Sequence, residues 1–148
     1  MREIFVIDTS ALIDYHDSLF TQNCRLSVGA QRLIATALIT SDTGVALSIP
    51  SIVFIEIYRK WLKNEEFARS FYYEVYRRCA DSPNVEIRSI EQEVLENLVL
   101  IRGSLARHEI HDKLILASAM VLKCPLITLD PKIADYVRET GVIPNTIM

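Results

Sequence analysis

From Ile4 to Asp14 the chain reads "IFVIDTSALID", four apolar residues halted by a carboxylate at Asp8. The run Ile4 to Ile7 is short, apolar on both faces and rich in β-branched residues, as a strand buried inside a parallel sheet must be. "PLITLD", Pro125 to Asp130, repeats the pattern, an apolar run that stops on an acid at Asp130. "VALSI", Val45 to Ile49, reads the same way, while "NVEIRSI", Asn84 to Ile90, alternates like a strand with one exposed side. A further short edge strand is expected at "GVI", near Gly141.

Helical periodicity fills the intervals. A short helix is expected from Ser10, a longer one over Val28 to Ile39, and a third in "SIVFIEIYRKWLK", with Ser51 as N-cap after Pro50. "EEFARSFYYEVYRRC" predicts a fourth, and "EQEVLENLVLIRG" a fifth that Gly103 ends. In the sixth, "HDKLILASAMVLK", Ile115, Leu116, Ala119 and Leu122 form one apolar stripe. Strands alternating with helices imply an α/β fold: a three-layer α/β/α sandwich around a mostly parallel central sheet. The 148 residues suit a single domain spanning 1–148, with no repeats or linkers.

The formal net charge of −3 gives no global attraction to phosphate backbones or anionic lipid, so any nucleic acid must be held locally. Cys24, Cys79 and Cys124 are odd in number and far apart, which excludes a Cys-x-x-Cys zinc or redox pair and suits free thiols in a reducing cytoplasm. No basic leader precedes an apolar stretch and no 18-residue apolar run occurs, so neither secretion nor a membrane span is expected.

Asp8 and Asp130 occupy matched positions, each directly after a strand, and ligands of open α/β sheets bind outside the carboxyl ends of strands. Taken singly, each is also accounted for as a turn residue or helix cap. Glu56 is the only charge between Val45 and Tyr58, embedded in "IVFIEIY", where burial is costly unless a cation or donor meets it. Asp112 heads the stripe of the sixth helix; alone, it is a first-turn acid favoured by the helix dipole. If all four converge, their mutual repulsion calls for a hard divalent cation, and Mg²⁺ or Mn²⁺ with oxygen ligands suits phosphodiester hydrolysis.

These segments together resemble the PIN-domain nucleases, the fold of the VapC-type toxins of toxin–antitoxin pairs. "VIDTSALID" is similar to the family's opening strand and first acid, Asp8, and "IPSIVFIEIYRKW" to the helix with its second, Glu56. "IHDKLILASAM" resembles the segment of the third, Asp112, and "CPLITLDPKI" the strand and fourth, Asp130. The resemblance covers nearly the whole chain. It implies a PIN-like fold, one or two Mg²⁺ or Mn²⁺ ions held by Asp8, Glu56, Asp112 and Asp130, and hydrolysis of RNA with water as nucleophile. It also places hydroxyls beside the acids at Ser10 and Thr128, which otherwise cap a helix and fill a strand, and suggests a cognate antitoxin. "TQNCRLSVGAQ" and "SFYYEVYRRCADSPN" carry no family signature.

Arg59, Lys60 and Lys63, with Arg102, Arg107 and Lys113, are either local RNA-backbone contacts or solvated helix faces. His108 and His111 read as loop histidines, since no fourth ligand supports zinc. Asp135 is a further acid whose simplest place is an exposed helix face. Phe67, Phe71 and Val75 form one line expected in the core, and Tyr72 and Tyr76 a second expected to face a homodimer or antitoxin. Two other functions fit less of the sequence: a non-catalytic PIN-like module that binds RNA or protein, and a haloacid dehalogenase-type phosphatase. The latter wants a second Asp where Ser10 stands.

Overall fold

The computed structural model describes residues 2–21, 23–39, 44–61 and 64–148. Among these, five strands pair in parallel in the order β3-β2-β1-β4-β5: β1 (Glu3–Ile7), β2 (Val45–Pro50), β3 (Val85–Arg88), β4 (Leu126–Ile127) and β5 (Thr146–Ile147). From β1 the chain steps outward to β2 and β3, then crosses back to β4 on the far side of β1. That reversal of direction leaves a crevice beyond the carboxyl ends of β1 and β4. Helices flank the sheet as the α/β/α arrangement requires.

β1 is central because its apolar end is kept from water: Phe5, Val6 and Ile7 are buried, as are Leu47 and Ile49 of β2 and both residues of β4. Register aligns Val6 with Leu126 and Ile7 with Ile127, so Asp8 and Thr128 leave their strands side by side. The Asp8 backbone N–H continues the ladder to the Ile127 carbonyl at 3.0 Å.

The helices are α1 (Thr9–Thr21), α2 (Val28–Ile39), α3 (Ser51–Trp61), α4 (Glu65–Phe71), α5 (Arg77–Asp81), α6 (Gln92–Leu98), α7 (Ile110–Leu122) and α8 (Pro131–Thr140). A wide π turn, Tyr72–Tyr76, joins α4 to α5 with helical dihedrals at both junctions, so the fourth expected helix is continuous. Its core line holds: Phe71 and Val75 are fully buried. Phe71 stacks on Phe67 and meets Phe54 and Tyr58 of α3 at ring-centroid distances of 6.2 Å. On the other line Tyr72 is 38% exposed and stacks on Tyr76.

Four boundaries differ from the sequence reading, the first being Ser51, which opens α3 as its first helical residue rather than preceding it as the cap. α1 runs 13 residues rather than being short. α6 stops at Leu98, and Gly103 instead opens a 3₁₀ turn (Gly103–Leu105) at φ 68°, a left-handed conformation that favours glycine. No strand forms at Gly141; at φ 67° it terminates α8 by donating its N–H to the Val137 carbonyl. The chain then plugs Ile143 into the core before β5 begins.

Cys79 and Cys124 are buried free thiols, and burial pushes them up to about 12 and about 11, so neither is a nucleophile at neutral pH. No helix among the described residues is long and apolar enough to cross a membrane.

Candidate functional site

A pocket of about 480 Å³ opens at the topological switch point, and Asp8, Glu56, Asp112 and Asp130 all line it. Four segments deliver them: the end of β1, the second turn of α3, the first turn of α7 and the end of the β4 segment. The four acids nominated from sequence are therefore neighbours in space.

Asp8 and Asp130 are N-caps and pocket groups at once. Oδ1 of Asp8 accepts the Ala11 N–H at 2.9 Å, capping α1, and Oδ1 of Asp130 accepts the Lys132 N–H at 2.9 Å, capping α8. The second oxygen of each is thereby aimed: Oδ2 of Asp8 accepts from the Thr128 hydroxyl, and Oδ2 of Asp130 lies 3.0 Å from Nε2 of His108. The Ser10 hydroxyl also donates to Asp8 Oδ1 at 3.0 Å, so both sequence-nominated hydroxyls reach the same acid. Thr128 further accepts the Asp130 N–H at 3.0 Å, which makes it a hinge pin between two acids.

Thr128→Val keeps the shape but strands the Asp130 N–H and one Asp8 oxygen. Leaving such buried groups unpaired costs about 1–3 kcal/mol, so the urea midpoint should fall accordingly while Thr128→Ser stays near wild type. A valine variant as stable as the parent would remove this role.

Charge is concentrated here. Burial pushes the Asp8 carboxyl up to about 6, against the three hydrogen bonds that lower it, and the Asp112 charge adds to the rise. Asp112 is also raised, first by burial, with His108 opposing and Glu56, Asp130 and Glu109 adding repulsion. Glu56 is 5% exposed, and its Oε2 accepts no hydrogen bond although His111 Nδ1 lies 3.4 Å away. A buried carboxylate oxygen that accepts no hydrogen bond, among other acids, is a group a cation can stabilise.

Two histidines do more than the sequence reading gave them, and one arginine escaped it. His108 lies in a loop as expected and His111 inside α7; His108 Nε2 lies 3.0 Å from both Asp112 and Asp130, and His111 faces Glu56. Arg25 stands in the pocket wall, on a loop that Asp14 fixes by accepting the Arg25 and Leu26 N–H groups at 3.0 and 3.2 Å. Only Arg25's place between two helical segments hinted at it. Lys60 also lines the pocket, with Nζ 4.0 Å from Glu56. Arg59 is exposed beside it, Lys113 donates to the Ala106 carbonyl, and Lys63 falls outside the described residues. Asp135 is exposed and pairs with Arg138, away from the pocket.

No family profile and no curated protein match this sequence. Solved structures do match its fold. VapBC2 from Rickettsia felis, bound to a promoter DNA fragment, superposes with a TM-score of 0.64 at 16% identity, over 97% of this chain and 96% of the other. FitAcB from Neisseria gonorrhoeae gives 0.62 at 16% identity, over the same shares. A toxin–antitoxin complex from Klebsiella pneumoniae gives 0.51 at 22% identity, over 97% and 95%. The chain has the fold of these proteins, the PIN-like arrangement that its acid-bearing segments resemble.

Proposed function

We propose that this protein is an endoribonuclease dependent on Mg²⁺ or Mn²⁺ and the toxin component of a toxin–antitoxin pair. The observation that carries the reading is the meeting of Asp8, Glu56, Asp112 and Asp130 in one pocket where Glu56 keeps a buried oxygen with no hydrogen-bond donor. The donor set fits a hard cation, because carboxylate oxygens dominate it and their repulsion is otherwise uncompensated. These four residues would hold one or two such ions. When bound, such an ion supplies the charge that lowers the pKa of a water and offsets negative charge developing at phosphorus.

The chain's own groups do the rest. Ser10, Thr128 and the Ala11 N–H fix both oxygens of Asp8, so that ligand costs little to order. Arg25 and Lys60 offer the pocket's wall to phosphates of a single strand, holding the backbone while leaving base identity unread. Neither pairs so tightly that it could not turn to a substrate: Arg25 is 3.5 Å from Asp14, and its side chain is 74% exposed.

Partner proteins are part of the proposal. The fold likeness to VapBC and other toxin–antitoxin complexes supports an antitoxin partner. An open apolar groove lined by Ile55, Tyr58, Tyr72, Tyr76 and Ile87 offers surface for that partner or for a homodimer.

The test is direct. Purified protein with single-stranded RNA and Mn²⁺ should yield fragments, and EDTA should stop the reaction until metal is restored. RNA held but left uncut at millimolar Mn²⁺ would favour the non-catalytic binding module instead.

A further inference from the structure

We propose that His108 is a positioning residue that clamps Asp112 and Asp130 at the separation one cation requires; this rests on the metal-dependent reading above and deepens it. The two acids belong to different elements, one in the first turn of α7 and the other capping α8, and no strand register ties them together. Left alone, two carboxylates in a shared pocket repel and drift apart. His108 counters this from the loop before α7. Its Nε2 lies 3.0 Å from Oδ2 of Asp112 and 3.0 Å from Oδ2 of Asp130, a single nitrogen shared by both. Ionised carboxylate oxygens only accept, so the nitrogen between them carries the hydrogen.

Placement separates a clamp from a ligand. Asp112 and Asp130 line the acidic pocket, whereas His108 does not, so it touches them from outside and leaves the pocket side to the ion. Its side chain is 15% exposed against 25% for each acid, the ordering expected of a support behind the groups it supports. Carboxylate oxygens of Asp112 and Asp130 lie within 4.8 Å of each other. Adjacent ligands at ~2.1 Å on an octahedral ion stand about 3 Å apart. His108 thus ties the two acids together before metal arrives.

Mn²⁺ binding, followed by the EPR signal of free Mn²⁺, tests this on the intact protein without reference to RNA cleavage. His108→Ala should weaken Mn²⁺ by about 10–100-fold, the usual effect of losing an outer support. His108→Gln places an amide N–H at similar reach and should recover most of that loss, whereas His108→Leu, of similar volume but without a donor, should not, which separates the clamp from mere space-filling. Unfolding curves in EDTA check that each variant is folded; if alanine unfolds the chain, His108→Asn, too short to span the acids, takes its place. Alanine or asparagine variants that bind like wild type would overturn the clamp. A glutamine variant as weak as alanine would overturn it in favour of direct ligation by the imidazole. Wild-type protein that takes up no Mn²⁺ would overturn the metal reading itself, and the clamp with it.

Discussion

In Asp8→Asn, RNA cleavage falls at least about a thousandfold while the metal-free protein becomes harder to unfold. The first half follows from the ion's contribution, several kcal/mol of charge stabilisation with each ~1.4 kcal/mol worth a factor of ten. The second follows from burial, which lifts the Asp8 carboxyl from 3.8 to about 6. An acid with a folded-state pKa above its unfolded value binds its proton more tightly when folded. Its contribution to stability is full below pH 3.8 and is lost as pH rises through about 6. At pH 7 without metal the ionised group therefore opposes folding, by roughly 1–3 kcal/mol.

Asparagine removes that charge while its amide oxygen still accepts from Ala11 and Ser10. In EDTA at pH 7 the variant should melt higher, at about 2–4 °C per kcal/mol for a chain of this size. Its stability should also lack the decline that wild type shows between about pH 4 and pH 6. Saturating Mn²⁺ inverts the comparison, raising the wild-type midpoint by mass action and leaving the variant nearly unmoved. Differential scanning calorimetry at two pH values, with and without Mn²⁺, measures all of this. A variant that melts lower than wild type in EDTA would refute the claim that Asp8 is held at a cost in stability.

Phe71→Ala has the largest expected effect on folding. Phe71 is fully buried where α4 meets the π turn, stacked on Phe67 and set edge-on to Tyr58. Removing a buried phenyl ring costs about 3–5 kcal/mol, a large part of the ~5–15 kcal/mol that keeps such a chain folded. The damage reaches the site, because Phe54 and Tyr58 lie on α3 on either side of Glu56 and both pack on this ring. Urea denaturation should show the loss in full, and Mn²⁺ should bind more weakly to whatever remains folded. A loss below ~1 kcal/mol would mean that the aromatic cluster does not anchor α3.

Three of the acids were legible because each breaks a pattern: Asp8 and Asp130 halt apolar runs, and Glu56 interrupts an apolar helix, whereas Asp112, an ordinary first-turn acid by itself, gained meaning only beside them. The parallel sheet was legible for the same reason, since β1, β2 and β4 are too apolar to face water. The choice between cap and pocket residue was a false one at Asp8 and Asp130, because a carboxylate has two oxygens and each acid uses them separately. What stayed hidden depends on loops. His108 meets Asp130 only because the chain between α6 and α7 returns to the end of β4, and no periodicity encodes that return. Arg25 is likewise placed by a carboxylate 11 residues earlier, and β5 is two residues long in a stretch without alternation.

The contact between Asp8 and Thr128 closes a loop of 120 residues, which has a bearing on how the protein is made. A chain emerging from the ribosome carries its first acid almost at once, yet that acid lacks the Thr128 hydroxyl and its fellow acid Asp130 until β4 has slotted in beside β1. The acidic pocket is thus incomplete by topology until the segment around residue 130 has been made and has packed beside β1.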